Sequence, residues 1–173
     1  LNKRYFIVAV ALILPLSSQA DDYLPTVRSS EQLSKLETLQ SSGLTLRKTN
    51  CKNFKIIDTK QVANTFDSSI TDTVKTLKCQ GMEVGIYIAS SYSPPLESLA
   101  WINISEEVSK PLPFGLRLGI SRAFIRNIFG EPDLEEPERL SFLVPQEGPC
   151  DGSVAFKFHN DKLVRFEWGF CIN

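Results

Sequence analysis

The chain has 173 residues, 19 Lys and Arg against 20 Asp and Glu, 42% hydrophobic residues and four cysteines. No basic stripe interleaved with aromatics occurs, which excludes the electrostatic footprint of a nucleic-acid binder. No apolar run reaches the roughly 20 residues that a membrane-spanning helix needs.

Residues 1–20 predict a cleavable export signal. Lys3 and Arg4 supply a positive start, Phe6 to Leu16 a short apolar run broken by Pro15, and Ser18-Gln19-Ala20 small residues where a signal peptidase reads. Cleavage after Ala20 leaves Asp21-Asp22 as the mature start, and no Cys follows the cut to accept a lipid. The expected location is the periplasm or outside the cell, with no membrane span in the mature form. Loss of Lys3 and Arg4 leaves 17 basic and 20 acidic residues, an ordinary soluble balance. The rest is enough chain for one medium domain or two small fused units.

The first half, 21–109, predicts a helix followed by strands. Ser29-Ser30-Glu31-Gln32 is a capping-box start, Leu33, Leu36 and Leu39 extend an apolar stripe, and Gly43 is the expected stop. Loops with at most one short helix are expected over 44–72. Strands are expected over 73–78, 82–89 and 98–104. Between the last two, Ser90-Ser91-Tyr92-Ser93-Pro94-Pro95-Leu96 is polar and Pro-rich, an exposed loop able to present Tyr92, Pro94 and Pro95 to a partner. Lys110-Pro111-Leu112-Pro113-Phe114 predicts a stiff linker, 110–114.

The second half, 115–173, repeats the order. Ser121 predicts a helix N-cap, Phe124, Ile125, Ile128 and Phe129 an apolar face, and Gly130 with Pro132 a stop. A turn-rich acidic connection follows over 131–138, then strands over 140–144, 154–158 and 163–170. In the last two, Val154, Phe156 and Phe158 alternate with polar residues, as do Val164, Phe166 and Trp168. For both sets to share a face, paired residue numbers must have an even sum. A three-residue loop, His159-Asn160-Asp161, satisfies this, and Phe124, Ile125 and Ile128 are the expected cover. The fold class is therefore α+β, two tandem helix-plus-antiparallel-sheet units.

Cys51, Cys79, Cys150 and Cys171 all follow the proposed cut, and an even count in an exported chain favours two disulfides. Three pairings are open. Cys51–Cys79 with Cys150–Cys171 is the expectation, because each pair closes a local loop within one half. A metal site is not expected, as there is no C-x-x-C and His159 is the only histidine.

Gly119-Ile120-Ser121-Arg122-Ala123-Phe124-Ile125-Arg126-Asn127-Ile128-Phe129-Gly130-Glu131-Pro132 resembles the helix of small outer-membrane assembly lipoproteins and of tandem-repeat β-lactamase inhibitor proteins, which share a helix-on-sheet unit. The resemblance spans about residues 115–170 and, more loosely, 30–105. It implies an exported protein that binds other proteins through a sheet face or loops, without catalysis. The chain departs from the lipoproteins in lacking a lipidated Cys, and from the inhibitors in lacking a recognisable enzyme-inserting loop.

Catalytic chemistry finds little support in the residues. His159 sits in a predicted turn with no partner pattern, bonded cysteines cannot act as nucleophiles, and no G-x-S-x-G occurs. The acids Glu131, Asp133, Glu135, Glu136 and Glu138 are interrupted by two prolines, unlike a calcium loop. Among them Glu131, Asp133, Glu135 and Glu136 are candidates for docking a basic partner. The expected function is a non-catalytic protein-binding module needing no cofactor, such as an inhibitor or immunity protein against an exported enzyme. The alternatives are an envelope assembly factor and a glycan hydrolase working through two carboxylates.

Overall fold

The computed structural model describes residues 26–64, 67–108, 110–146 and 150–172; the export signal expected over 1–20 lies outside them. The first element, α1 (Ser30–Asn50), begins as the sequence predicts. Ser29 Oγ accepts from Gln32 N (3.2 Å), and Gln32 Oε1 accepts from Ser29 N (3.0 Å). The helix does not stop at Gly43. It runs two turns further, and Gly43 instead makes room for a side chain from the other half of the chain. A Cβ there would lie 3.1 Å from the Trp168 indole, whose Nε1 donates to Leu39 O at 3.1 Å.

Strands β1 (Lys55–Ala63), β2 (Thr71–Cys79), β3 (Met82–Ala89) and β4 (Leu96–Ile104) form an antiparallel meander. A tight turn at 113–115 and α2 (Arg122–Phe129) follow, then a second meander of β5 (Leu134–Glu136), β6 (Arg139–Val144), β7 (Gly152–His159) and β8 (Lys162–Gly169). β4 pairs with β8, Ile104 opposite Phe166 and Ile102 opposite Trp168. The result is one eight-stranded sheet in the order β1-β2-β3-β4-β8-β7-β6-β5. The architecture is mixed α and β, mostly antiparallel sheet, with one strand per half beyond the three expected. β1 was hidden because it is an edge strand exposed on both faces, so its sequence shows no alternation. β5 has three exposed residues inside the acidic stretch.

Both helices lie on one face of the sheet. Leu36, Leu39, Gly43 and Leu46 of α1 are buried at helical spacing, as are Ile125 and Phe129 of α2. Of the expected cover, Ile125 is fully buried and the half-buried Ile128 packs against the core, whereas Phe124 is 38% exposed and Phe129 fills the core in its place. Phe129 sits 5.7 Å from Phe156, Phe156 5.8 Å from Phe166, and Phe166 5.9 Å from Trp168, a ladder of rings running along the sheet under the helices. One core runs through both halves, and Leu112 of the predicted linker is buried in it.

The β7–β8 hairpin reaches the required register by another route. Phe156 stands opposite Phe166 and Val154 opposite Trp168, an even sum, yet His159 pairs directly with Lys162. The loop therefore has two residues, Asn160 (φ 48°) and Asp161 (φ 59°), both in the left-handed region that such tight hairpin turns require. A bulge between these pairs restores the parity. Its consequence is that Leu163, opposite Phe158, is buried in place of Val164, which is 39% exposed.

Both expected disulfides are present: Cys51–Cys79 with Cα atoms 5.0 Å apart and Cys150–Cys171 at 5.6 Å. The first ties the end of α1 to β2, and the second ties the segment before β7 to the one after β8. Such bonds belong to an oxidising environment outside the cytosol. Among the described residues no helix is long and apolar enough to cross a membrane.

Candidate functional site

The β3–β4 connection, 90–95, is exposed along its length, and Tyr92 at its tip is 55% exposed. Its base is held by a buried carboxylate. Asp72 enters β2 on the sheet face without helices, and its side chain has no solvent exposure. Asp72 Oδ1 accepts from Ser90 N at 2.8 Å and from Ser90 Oγ at 3.0 Å. Its Oδ2 accepts from Asn64 Nδ2 at 2.7 Å and from the Tyr87 hydroxyl. Ser90 Oγ also reaches Thr71 O at 2.7 Å.

These donors fix the electrostatics. The Tyr87 hydroxyl and then the Ser90 amide favour the charged form of Asp72, bringing its pKa down to about 2 against an opposing burial effect. Burial and the neighbouring anion push Tyr87 up to about 12. The site is thus a fixed negative charge with a neutral phenol at neutral pH, and its bonds to Asn64 and Ser90 serve the two adjoining loops. Asn64 joins the β1–β2 loop to the network, where its Oδ1 accepts from Asp67 N (3.0 Å) and Asp67 Oδ1 accepts from Ser69 N (2.9 Å). Tyr92, Pro94 and Pro95 therefore stand on a loop with an ordered footing, the arrangement that lowers the entropy lost on binding.

The acidic connection is organised differently. Asp133 is not available to a partner: its side chain is 2% exposed and that of Arg28, 2.7 Å away, is 4% exposed. It also accepts from Leu143 N at 2.6 Å and Thr26 N at 3.3 Å. Asp133 thus anchors the segment entering α1 to β6, and its place among the docking candidates is withdrawn. Glu131 pairs with Arg126, and Glu135 with both Arg126 (2.5 Å) and Arg122 (3.2 Å). Those arginines hold the Glu135 carboxyl below the ordinary carboxylate range. Glu136 is exposed. The patch sequence suggests is half-neutralised by α2, because helical spacing places Arg122 and Arg126 on one side, over β5.

These two candidate surfaces are not brought together. The Tyr92 loop lies at the end of the sheet where β3 stops and β4 begins, whereas the acidic residues flank β5 at the far edge. Sequence reasoning missed Asp72, Tyr87 and Asn64. Their only signal was an Asp inside a strand-forming run, an uncommon place for that residue. On the same helix-free face, the half-buried Trp101 lies across Gly85, where a Cβ would fall 2.3 Å from the ring. Trp168 and Phe166 are fully buried and Phe170 packs on the core. His159 is exposed beside the hairpin turn, 3.4 Å from Asn160 Nδ2. Among the described residues no group of three or more His, Cys, Asp or Glu is placed to hold a metal ion.

No protein family, no curated protein and no solved structure matches the chain.

Proposed function

We propose that this chain is an exported, non-catalytic protein-binding module, and that its contact surface centres on Tyr92, Pro94 and Pro95. The observation that carries the reading is the footing of the β3–β4 loop: a buried carboxylate satisfied by Ser90, Tyr87 and Asn64 ties down the base of the loop that carries the exposed Tyr92. A loop tied at its base and carrying one large amphipathic side chain is suited to form an interface anchor. Two disulfides and a signal-like segment over 1–20 support the periplasm or the extracellular space as the place of action. The order of helix then meander in each half supports a reading as tandem related units, the architecture implied by the resemblance to inhibitor and assembly proteins. An inhibitor or immunity protein acting on an exported enzyme or effector is the specific form proposed.

Pull-down with the purified protein from periplasmic extract tests this. One stoichiometric enzyme partner is expected, weakened by about 1–2 kcal/mol in Tyr92→Ala while the fold stays intact. Outer-membrane machinery as the captured partner would point to an assembly role instead. Turnover of a defined substrate by the pure protein, abolished by one Asp or Glu to Ala change, would overturn the binding reading in favour of an enzyme.

A further inference from the structure

β1 is a nine-residue strand at the rim of the sheet, paired with β2 on one side only. Phe54 just before it and Ile56 and Ile57 within it are 54%, 49% and 47% exposed. A long edge with apolar side chains is a template for another strand, because half of its backbone N–H and C=O groups lack ladder partners. The opposite edge, β5, is only three residues long and offers far less.

The charges on β1 indicate what pairs there. Asp58 and Lys60 are two residues apart on the helix-free face, with Lys60 Nζ 3.0 Å from Asp58 Oδ2 and both side chains about half exposed. When two copies of one strand pair antiparallel about a two-fold axis, opposed residues have a constant number sum. An axis through Thr59 sets Asp58 opposite Lys60 of the second copy, and the reverse on the other side. An axis through Asp58 or through Lys60 would put a charge opposite itself, which is destabilising for directly opposed pairs. The Thr59 register also lays Ile57 of each copy beside Gln61 of the other, up to the register shift between Ile56 and Asp58.

We propose that β1 is a self-association edge, on which a second copy of this chain pairs antiparallel with the two-fold axis at Thr59, continuing the eight-stranded sheet into its twin. The interaction is independent of the Tyr92 loop, which lies two strands away from this edge.

Sedimentation equilibrium of the purified protein should show a monomer–dimer equilibrium. Asp58→Lys alone and Lys60→Asp alone should each weaken it by on the order of tenfold or more, since each places two like-charge pairs across the axis. The double swap, Asp58→Lys with Lys60→Asp, should restore it. Both side chains are about half exposed, and circular dichroism of each variant checks that the fold is kept. Independently, Thr59→Cys should oxidise to a covalent dimer, whereas Gln61→Cys should not, because residue 61 of the two copies is separated by about 14 Å in this register. A monomer up to hundreds of micromolar, a dimer indifferent to the charge reversals, or equal cross-linking at 59 and 61 would each overturn the proposal. Capture of a different protein's strand by a monomeric chain would do so too.

Discussion

Replacing Asp133 by Ala separates an anchoring role from a docking role, because the two differ by several kcal/mol in the free protein. The carboxylate holds a guanidinium that is itself 4% exposed, and it accepts the Leu143 amide at 2.6 Å inside the β6 region. Without it, Arg28 retains the Glu131 carbonyl at 2.9 Å and the face of Phe142 at 5.3 Å, neither of which balances a full charge. Removing one partner of a buried ion pair costs about 3–5 kcal/mol, most of it from the charge left behind. Arg28→Met should cost less, about 2 kcal/mol, because the remaining carboxylate keeps two backbone N–H donors. Combined, the two changes should cost less than the sum of the singles, by about 1–3 kcal/mol, as groups in direct contact do. Equilibrium unfolding in urea with the disulfides intact measures all three, the comparison resting on unchanged m-values. A loss below about 1 kcal/mol for Asp133→Ala would mean that the carboxylate is solvated. The anchoring argument would then fail, and Asp133 would return to the docking candidates.

The hairpin bulge predicts opposite outcomes for near neighbours: Phe166→Ala should cost about 3–5 kcal/mol in chemical unfolding, and Val164→Ala should stay within about 0.5 kcal/mol. Gly43→Ala, a change that ordinarily stabilises a helix interior by about 1 kcal/mol, should instead lower the melting temperature. Trp168 is held by Leu39 O and stacked on Phe166, so it cannot retreat from the new methyl group; a higher melting temperature would refute the close-approach argument. The Asp72 network predicts a pH signature. With its folded pKa near 2, below the usual 3.8, Asp72 adds stability that is complete above about pH 4 and fades as pH falls towards 2. Tyr87, raised from 10 to about 12, adds stability that is lost as pH climbs between those values. Asp72→Asn should flatten the acid limb of a stability-versus-pH profile, and an unchanged limb would refute the assignment.

Much of the local structure was legible because its signals are short-range. The capping box at Ser29 and Gln32, the N-cap at Ser121 and the stop at Gly130 act within one helical turn, and all three stand as expected. Cys51–Cys79 and Cys150–Cys171 followed from the economy of local loops. The expected strand bounds match β3 to the residue and β2, β4, β6, β7 and β8 to within two, and in β7 and β8 alternation records the buried face.

What the sequence could not decide depends on partners far along the chain. Gly43 carries the same residue-level signal whether it ends a helix or admits an indole, and only Trp168, arriving from β8, selects the second. Val164 and Leu163 are both apolar, and the bulge that exchanges them arises from fitting a two-residue turn to an even register. β1 lacks alternation because an edge exposed on both faces leaves no hydrophobic imprint, while Asp133 and Asp72 look like surface acids until Arg28, Leu143, Tyr87 and Ser90 close around them. Chain chemistry by itself determined which residues cap, alternate and bridge. Tertiary structure decided which charges are buried and which loop is tied at its base, since burial is a property of the neighbours that folding assembles.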